Sequence, residues 1–235
     1  MSIIQIKKDK KKEITIDPKI YNATTIGSDE VGTGDYFGPI VVTSTYVSIE
    51  NVDFLLELGV KDSKKLTDEQ IIKIVPEIIK KIPYHTLVLS NKQYNEFYNE
   101  NMNMNKIKAV LHNKVLFELV KENKYDYQYI VVDQFEYPKA YYNHIRESKN
   151  QVKDIFFMTK AEDKCLSVAC ASMISRYIFL QEMNKISKEV NMNIPKGASN
   201  LVDDTAKKII EKYGYEKLKD IVKLNFKNTS KLKNE

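Results

Sequence analysis

Four carboxylates in this chain stand where a carboxylate is costly to keep. Asp29 and Glu30 close the strand expected over Thr24–Asp29, Asp133 ends the apolar run Tyr127–Val132, and Glu162 opens a long helix expected over Glu162–Glu182. If folding brings such groups together, two unit charges about 4 Å apart repel by roughly 4 kcal/mol at an effective dielectric near 20. A cation must then offset them, and an all-oxygen donor set favours Mg²⁺ or Mn²⁺ over zinc. Two such ions can clamp the attacking and leaving oxygens of an in-line phosphoryl displacement. Plainer roles exist for the same residues. Asp133 suits a turn or a helix cap, and Glu162 suits the first turn of a helix, where it complements the dipole. Spacing along the chain leaves both readings open.

The glycines beside the first pair carry a second signal. Gly27 to Gly38 holds four of the seven glycines in the chain, which suits positive φ or a close approach to the main chain. Gly32-Thr33-Gly34 is no dinucleotide fingerprint, because Phe37 stands where that pattern needs glycine, and no GKS or GKT phosphate loop is present. A tight hairpin would use these glycines. So would a substrate loop, in which bare amides at Gly32, Thr33 and Gly34 approach a nucleic-acid backbone or a ribose 2′-hydroxyl.

Positioning these residues falls to an alternation of strands and helices. Thr24–Asp29 and Pro39–Ile49 read as strands, followed by a polar, loop-like Val60–Leu66. Thr67 with Gln70 forms a capping box ahead of an apolar stripe at Ile71, Ile72, Val75, Ile78 and Ile79. Tyr84–Ser90 reads as a third strand, Asn91–Asn99 and Asn103–Glu122 as helices, Tyr127–Val132 and Asp154–Met158 as further strands. Pro138 starts a helix at its first turn, and Asp203–Tyr213 closes as one, with Gly214 at its C-terminal cap. Strands first and then alternating elements imply an α/β or α+β layered domain over 23–235, preceded by a lysine-rich leader at 1–22.

Bulk properties narrow the class without deciding it. A length of 235 residues with 43% hydrophobic content can bury a core, and no apolar run approaches the length of a membrane span. No signal-peptide pattern precedes the first strand. Cys165 and Cys170, five apart in a helix-like stretch, make a poor disulfide pair, so the cytoplasm is the expected compartment and a monomer the default. The net charge of +5 suits a polyanionic partner, as it suits many proteins that bind none.

The segment Gly27-Ser28-Asp29-Glu30-Val31-Gly32-Thr33-Gly34-Asp35-Tyr36-Phe37-Gly38-Pro39 resembles the signature of the ribonuclease HIII family. Further stretches match in order: Asp62-Ser63-Lys64-Lys65-Leu66, Leu111-His112-Asn113-Lys114, Asp133-Gln134-Phe135, Lys160-Ala161-Glu162, Ala169 to Arg176, and Pro195-Lys196-Gly197-Ala198-Ser199. Together they cover nearly all of 24–215.

This resemblance implies a ribonuclease H-like fold, a mixed five-stranded sheet flanked by helices, with C-terminal helices. It implies an endonuclease that hydrolyses the RNA strand of RNA–DNA hybrids with Mg²⁺ or Mn²⁺, leaving 5′-phosphate and 3′-hydroxyl ends. Asp29, Glu30, Asp133 and Glu162 become the metal-binding quartet. Gly32, Thr33 and Gly34 become the substrate loop, with Ser63, Lys64 and Lys160 as phosphate contacts. For Lys65, His112 and Lys114, surface charge or a structural hydrogen bond is the simpler reading, and the small residues of the last helix (Ala169, Ala171, Ser172, Ser175) are expected to pack on the sheet. The chain departs from the family in two ways. The family's separate N-terminal substrate-binding domain is too large for the residues ahead of the signature, so either Lys7–Lys12 substitutes in part as an electrostatic tether or hybrids are expected to bind weakly, and Cys165 stands where histidine is expected. Two rival functions are ribonuclease HII-like incision at single ribonucleotides, against which Thr33 in place of arginine speaks, and a non-catalytic hybrid binder, to which an acidic quartet would be useless.

Overall fold

Side chains alternate across a strand, so the first acidic segment is divided between two layers as soon as it becomes a strand. In the computed structural model, which describes Ile20, residues 23–121 and residues 124–232, that strand is β1 (Thr25–Val31). It pairs antiparallel with β2 (Ile40–Val47) on one side and parallel with β4 (Tyr129–Asp133) on the other. β3 (Tyr84–Leu89) extends the β2 edge antiparallel, and β5 (Ile155–Met158) extends the β4 edge in parallel. The order β3-β2-β1-β4-β5 is the mixed five-stranded sheet expected from the resemblance.

Helices cover both faces. α1 (Val52–Glu57) and α2 (Asp68–Lys81) follow β2, with the Thr67–Gln70 capping box formed as expected. α3 (Asn91–Phe97), α4 (Met104–Val120) and α5 (Pro138–His144) come next, and α6 (Leu166–Val190) is the longest. α7 (Asn200–Ile221) and α8 (Lys227–Leu232) close the chain. One face of the sheet buries Ile26, Ile130 and Val132 against Ala109 and Leu116 of α4 and Tyr141 of α5. On the other face, Gly27 meets α6 so closely that an added Cβ would lie 2.5 Å from the Val168 backbone nitrogen. Only glycine permits that approach.

Several local expectations need correction. Glu162 does not open the long helix; it sits in a 3₁₀ turn, Ala161–Asp163, and α6 starts only at Leu166. Lys160 immediately before it is left-handed (φ 55°, ψ 47°), which breaks any continuous helix there. Val60–Lys65 is a 3₁₀ segment rather than an open loop. Gly214 (φ 83°) does interrupt helicity, yet the chain resumes helical geometry beyond it to Ile221. α1 and α8, six residues each, are too short to show a periodic stripe. The Lys7–Lys12 run lies outside the described residues, and of the leader only Ile20 is described, buried against Val131, Met158, Cys165 and Val168. Among the described residues no helix is long and apolar enough to cross a membrane.

Candidate active site

The division of β1 decides the site. Thr25, Gly27 and Asp29 face α6, where Thr25 meets Ser167 at 2.8 Å, Gly27 abuts Ser167, and Ser172 hydrogen-bonds the Asp29 carboxylate. Ile26, Ser28 and Glu30 face α4. On the neighbouring strand β4, Ser28 registers with Val132, so Asp133 lies one step further, beside Asp29. Asp133 accepts a 2.8 Å hydrogen bond from the Ala161 amide, which ties it to the turn carrying Glu162. Asp29, Asp133 and Glu162 thus share one edge of the sheet on the α6 side, and Glu30 approaches that edge from the α4 side.

Charge follows this geometry. Burial pushes Asp29 well above the usual carboxylate range, and the charges of Glu30 and Asp133 push the same way, against the hydrogen bonds from Ser172 and the Glu30 amide. Asp133 is also raised, by burial and by Glu162 and Glu30, although the Ala161 amide lowers it. Glu30 goes in the opposite direction. Burial would raise it, but the His112 hydrogen bond and charge and the Lys108 ammonium outweigh that and bring it down to about 2. Lys108 and His112 are four apart on α4, on one face of the helix. Lys108 pairs with Glu30 Oε1 while sitting 4.1 Å from the Phe135 ring centre. His112, wholly buried, has Nε2 2.8 Å from Glu30 Oε2 and Nδ1 2.8 Å from Ser28 Oγ. With Glu30 ionised, Nε2 donates to it, and Nδ1 accepts from the serine hydroxyl in the neutral ring or donates to it in the charged one.

Among the described residues, no three Asp, Glu, His or Cys side chains converge closely enough to hold a metal as they stand. The cause is visible: Glu30 is drawn to Lys108 and His112, and Glu162 Oε1 is paired with Lys64. The donor set still fits a hard divalent ion. All the donors are oxygens, two of the acids are held above their usual range, and Glu162 Oε2 is buried without a hydrogen-bond partner. A cation there would relieve each of those costs.

The expected substrate contacts are spread around this edge. Gly32 is buried with φ 91°, and an added Cβ would lie 2.1 Å from the Pro39 carbonyl, so its own conformation demands glycine. Thr33 is partly exposed. Gly34 is exposed, with nothing within 4 Å of where a Cβ would stand. Ser63 is buried and lines, with Lys64, Ile71, Met173, Arg176 and the Ser172 that bonds Asp29, a cavity of about 270 Å³. Lys160 is exposed at its left-handed position.

Sequence reasoning missed Lys108 altogether and treated Ser172 as packing. The signal for the first was its i,i+4 spacing from His112; for the second there was none, because only the fold sets Ser172 opposite Asp29. His112 makes the structural hydrogen bonds that were its simpler reading. Cys165 caps α6 within a buried cluster of Val131, Met158 and Val168, its sulfur 3.2 Å from Ser167 Oγ, so at this position the thiol packs in the interior. Both cysteines are free, as expected from their spacing.

A family model described as ribonuclease HII matches residues 26–229. The ribonuclease HIII of Bacillus licheniformis is 47% identical over 216 residues, covering 91% of this chain and 69% of that protein. The ribonuclease HIII of Phytoplasma mali is 48% identical over 208 residues, covering 88% and 72%. Among solved structures, Bst-RNase HIII in complex with Mn²⁺ superimposes with a TM-score of 0.89 at 41% identity, covering 92% of this chain and 71% of that one.

Proposed function

From the premise that this chain belongs to the ribonuclease HII family, we propose that it is an endonuclease that hydrolyses the RNA strand of RNA–DNA hybrids. Its cofactor is Mg²⁺ or Mn²⁺, in keeping with the relative whose structure holds Mn²⁺. The observation that carries the reading is the gathering of Asp29, Asp133 and Glu162 on one sheet edge, two of them lifted by burial and mutual repulsion, the third with an orphaned buried oxygen.

In this reading Asp29, Asp133 and Glu162 hold the ions from the α6 side and Glu30 joins them from the α4 side. A divalent ion held by these residues would supply Lewis-acid polarisation of the scissile phosphate and a lowered pKa for its bound water. The protein's own groups do the remainder. Ser172 and the Glu30 amide, which lies 2.8 Å from Asp29 Oδ1, orient Asp29. The Ala161 amide orients Asp133, and His112 with Lys108 keeps Glu30 ionised. Lys64 neutralises Glu162 and stands on the wall of the cavity that Ser172 also lines. With a hybrid bound, its ammonium would be placed to exchange Glu162 for a phosphate oxygen. Thr33 and Gly34, open to solvent, meet the RNA strand, where the 2′-hydroxyl is read rather than used as nucleophile. Gly32 shapes the loop beneath them. Lys160 and Ser63 flank the edge as further backbone contacts. Two free, buried thiols are in keeping with a reducing compartment, the cytoplasm.

The test compares three labelled duplexes, each with Mg²⁺ and separately with Mn²⁺: an RNA–DNA hybrid, DNA carrying one ribonucleotide, and plain DNA. Multiple cuts in the hybrid, lost in Asp133→Asn, are expected. Efficient incision at the lone ribonucleotide would transfer the specificity to the ribonuclease HII type. Failure to cut any duplex with either ion would overturn the catalytic reading.

A further inference from the structure

The segment that follows α7 runs beneath the glycine loop, and nothing so far gives it a part in the reaction. Val222 bridges Phe37, the Ile221 carbonyl accepts from the Gly38 amide at 3.1 Å, and the Lys223 amide donates to the Tyr36 carbonyl at 2.9 Å. The side chain of Lys223 is wholly buried. Its Nζ donates to the Asp35 carbonyl at 2.8 Å and to the Gly38 carbonyl at 2.5 Å. A second clamp comes from Gly197, whose amide donates to Asp35 Oδ1 at 2.6 Å and whose carbonyl accepts from the Tyr36 amide at 2.9 Å. Thr33 and Gly34 therefore lead directly into a stretch, Asp35–Gly38, that is gripped at both ends from below.

An ammonium is among the most expensive groups to bury. Burial pushes Lys223 down to about 7, against the opposing pull of Asp35. If this position were only core, an apolar side chain of similar length would serve with less desolvation cost. What an apolar side chain cannot supply is a pair of donors to the Asp35 and Gly38 carbonyls.

We propose that Lys223 is a positioning residue for hybrid binding, gathering the Asp35 and Gly38 carbonyls so that Thr33 and Gly34 keep the shape that meets the RNA strand. The proposal rests on the reading of the glycine loop as the substrate loop. It makes the C-terminal segment part of the substrate site, although no residue of that segment need touch the duplex.

The experiment measures binding of a fluorescein-labelled RNA–DNA hybrid by anisotropy in EDTA, and KM and kcat with Mn²⁺, for wild type, Lys223→Met, Lys223→Gln and Gly34→Val. Lys223→Met should raise both Kd and KM about tenfold, the worth of roughly one to two hydrogen bonds, with kcat changed by less than about twofold. Lys223→Gln, which keeps a donor on a shorter stem, should fall between Met and wild type. If the Met variant does not fold, the Gln variant carries the test alone, and wild-type binding by it overturns the proposal. A lowered melting temperature with unchanged Kd and KM would mark the lysine as merely structural and equally overturn it. Gly34→Val separates the two layers of argument, because its side chain enters open space rather than the core. Normal binding by Gly34→Val sinks the substrate-loop reading itself. Weakened binding by Gly34→Val beside normal binding by Lys223→Met removes only the role of Lys223.

Discussion

One turn of α6 separates two clusters of charge that are resolved in opposite ways. Ser172 points to Asp29, and Arg176, four residues on, points to Asp68. Burial would lift Asp68, but Lys196 and Arg176 hydrogen-bond it and bring it below the usual range. Arg176 Nε lies 3.0 Å and Nη2 2.5 Å from Asp68 Oδ1, its Nη1 donates to the Leu66 carbonyl at 2.9 Å, and Lys196 Nζ lies 2.5 Å from Asp68 Oδ2. That cluster is complete within the protein. One turn away, Asp29 has a hydroxyl and an amide but no paired cation among the described residues, and it is held above its usual range. A charge cluster that serves the fold brings its own counter-ions, whereas one that serves chemistry leaves a deficit for a ligand to fill.

The largest effect expected from this contrast is at Asp29. Asp29→Asn should lower hybrid cleavage by about a thousandfold or more. The same change should raise the melting temperature of the metal-free protein by a few degrees, because a buried, repelled charge is removed. A lower melting temperature in EDTA would show that Asp29 is satisfied as it stands, and the contrast would collapse.

Next comes His112, which holds Glu30 without touching the shared edge. His112→Phe should weaken Mn²⁺ binding about 10- to 100-fold, the usual consequence of removing a residue that orients a metal ligand. Calorimetric titration with Mn²⁺ reads this without any substrate. Unchanged affinity would mean that Lys108 alone suffices.

At the complete cluster the sign reverses. Asp68→Asn should cost stability, by about 1.5–3 kcal/mol in urea unfolding, as expected for lost hydrogen bonds to charged groups. Its kcat should stay within a few-fold of wild type. A thousandfold loss of turnover would place Asp68 in the active site and break the comparison.

The smallest effect is a slope. Lys223 titrates near 7 in the folded protein against an ordinary value of 10.5. Between those limits the unfolded chain holds a proton that the folded chain has released, so stability rises with pH there. The contribution is below about 1.4 kcal/mol per pH unit. Melting curves at pH 7, 8 and 9 should show this rise in wild type relative to Lys223→Met. Parallel pH dependence in both would mean that the buried amine does not titrate in this range.

Much of this was legible in the chain itself. The capping box at Thr67 and Gln70, the strand ending at Asp133 and the helix through Ile107–Leu119 depend on neighbours a few residues away, and all three formed as expected. The resemblance carried the mixed five-stranded sheet, which no local pattern could supply, and the strand order came only with the structure. What went astray lay where the chain changes direction. Lys160 takes a left-handed conformation that only tertiary contacts sustain in a non-glycine residue, and it displaces Glu162 from the helix into a turn. The site followed the same rule: the acids stood out by type, while Lys108, Ser172 and Lys223 did not. Lys108 was marked only by its spacing from His112, and Ser172 and Lys223 carried no mark at all.

The sequence by itself determined which residues could bind a divalent ion, because carboxylate chemistry and strand alternation are local properties. Because β1 runs on to Val31, past the expected end at Asp29, Asp29 and Glu30 face opposite layers. Only the tertiary structure decided what each would find there: α4 brings Lys108 and His112 to the Glu30 carboxylate, while α6 brings the Ser172 hydroxyl to the Asp29 carboxylate and the Ser175 hydroxyl to the Asp29 carbonyl. Burial and partner charges depend on elements more than 70 residues apart along the chain, and they made one acid of the pair a settled carboxylate and left the other short of a cation.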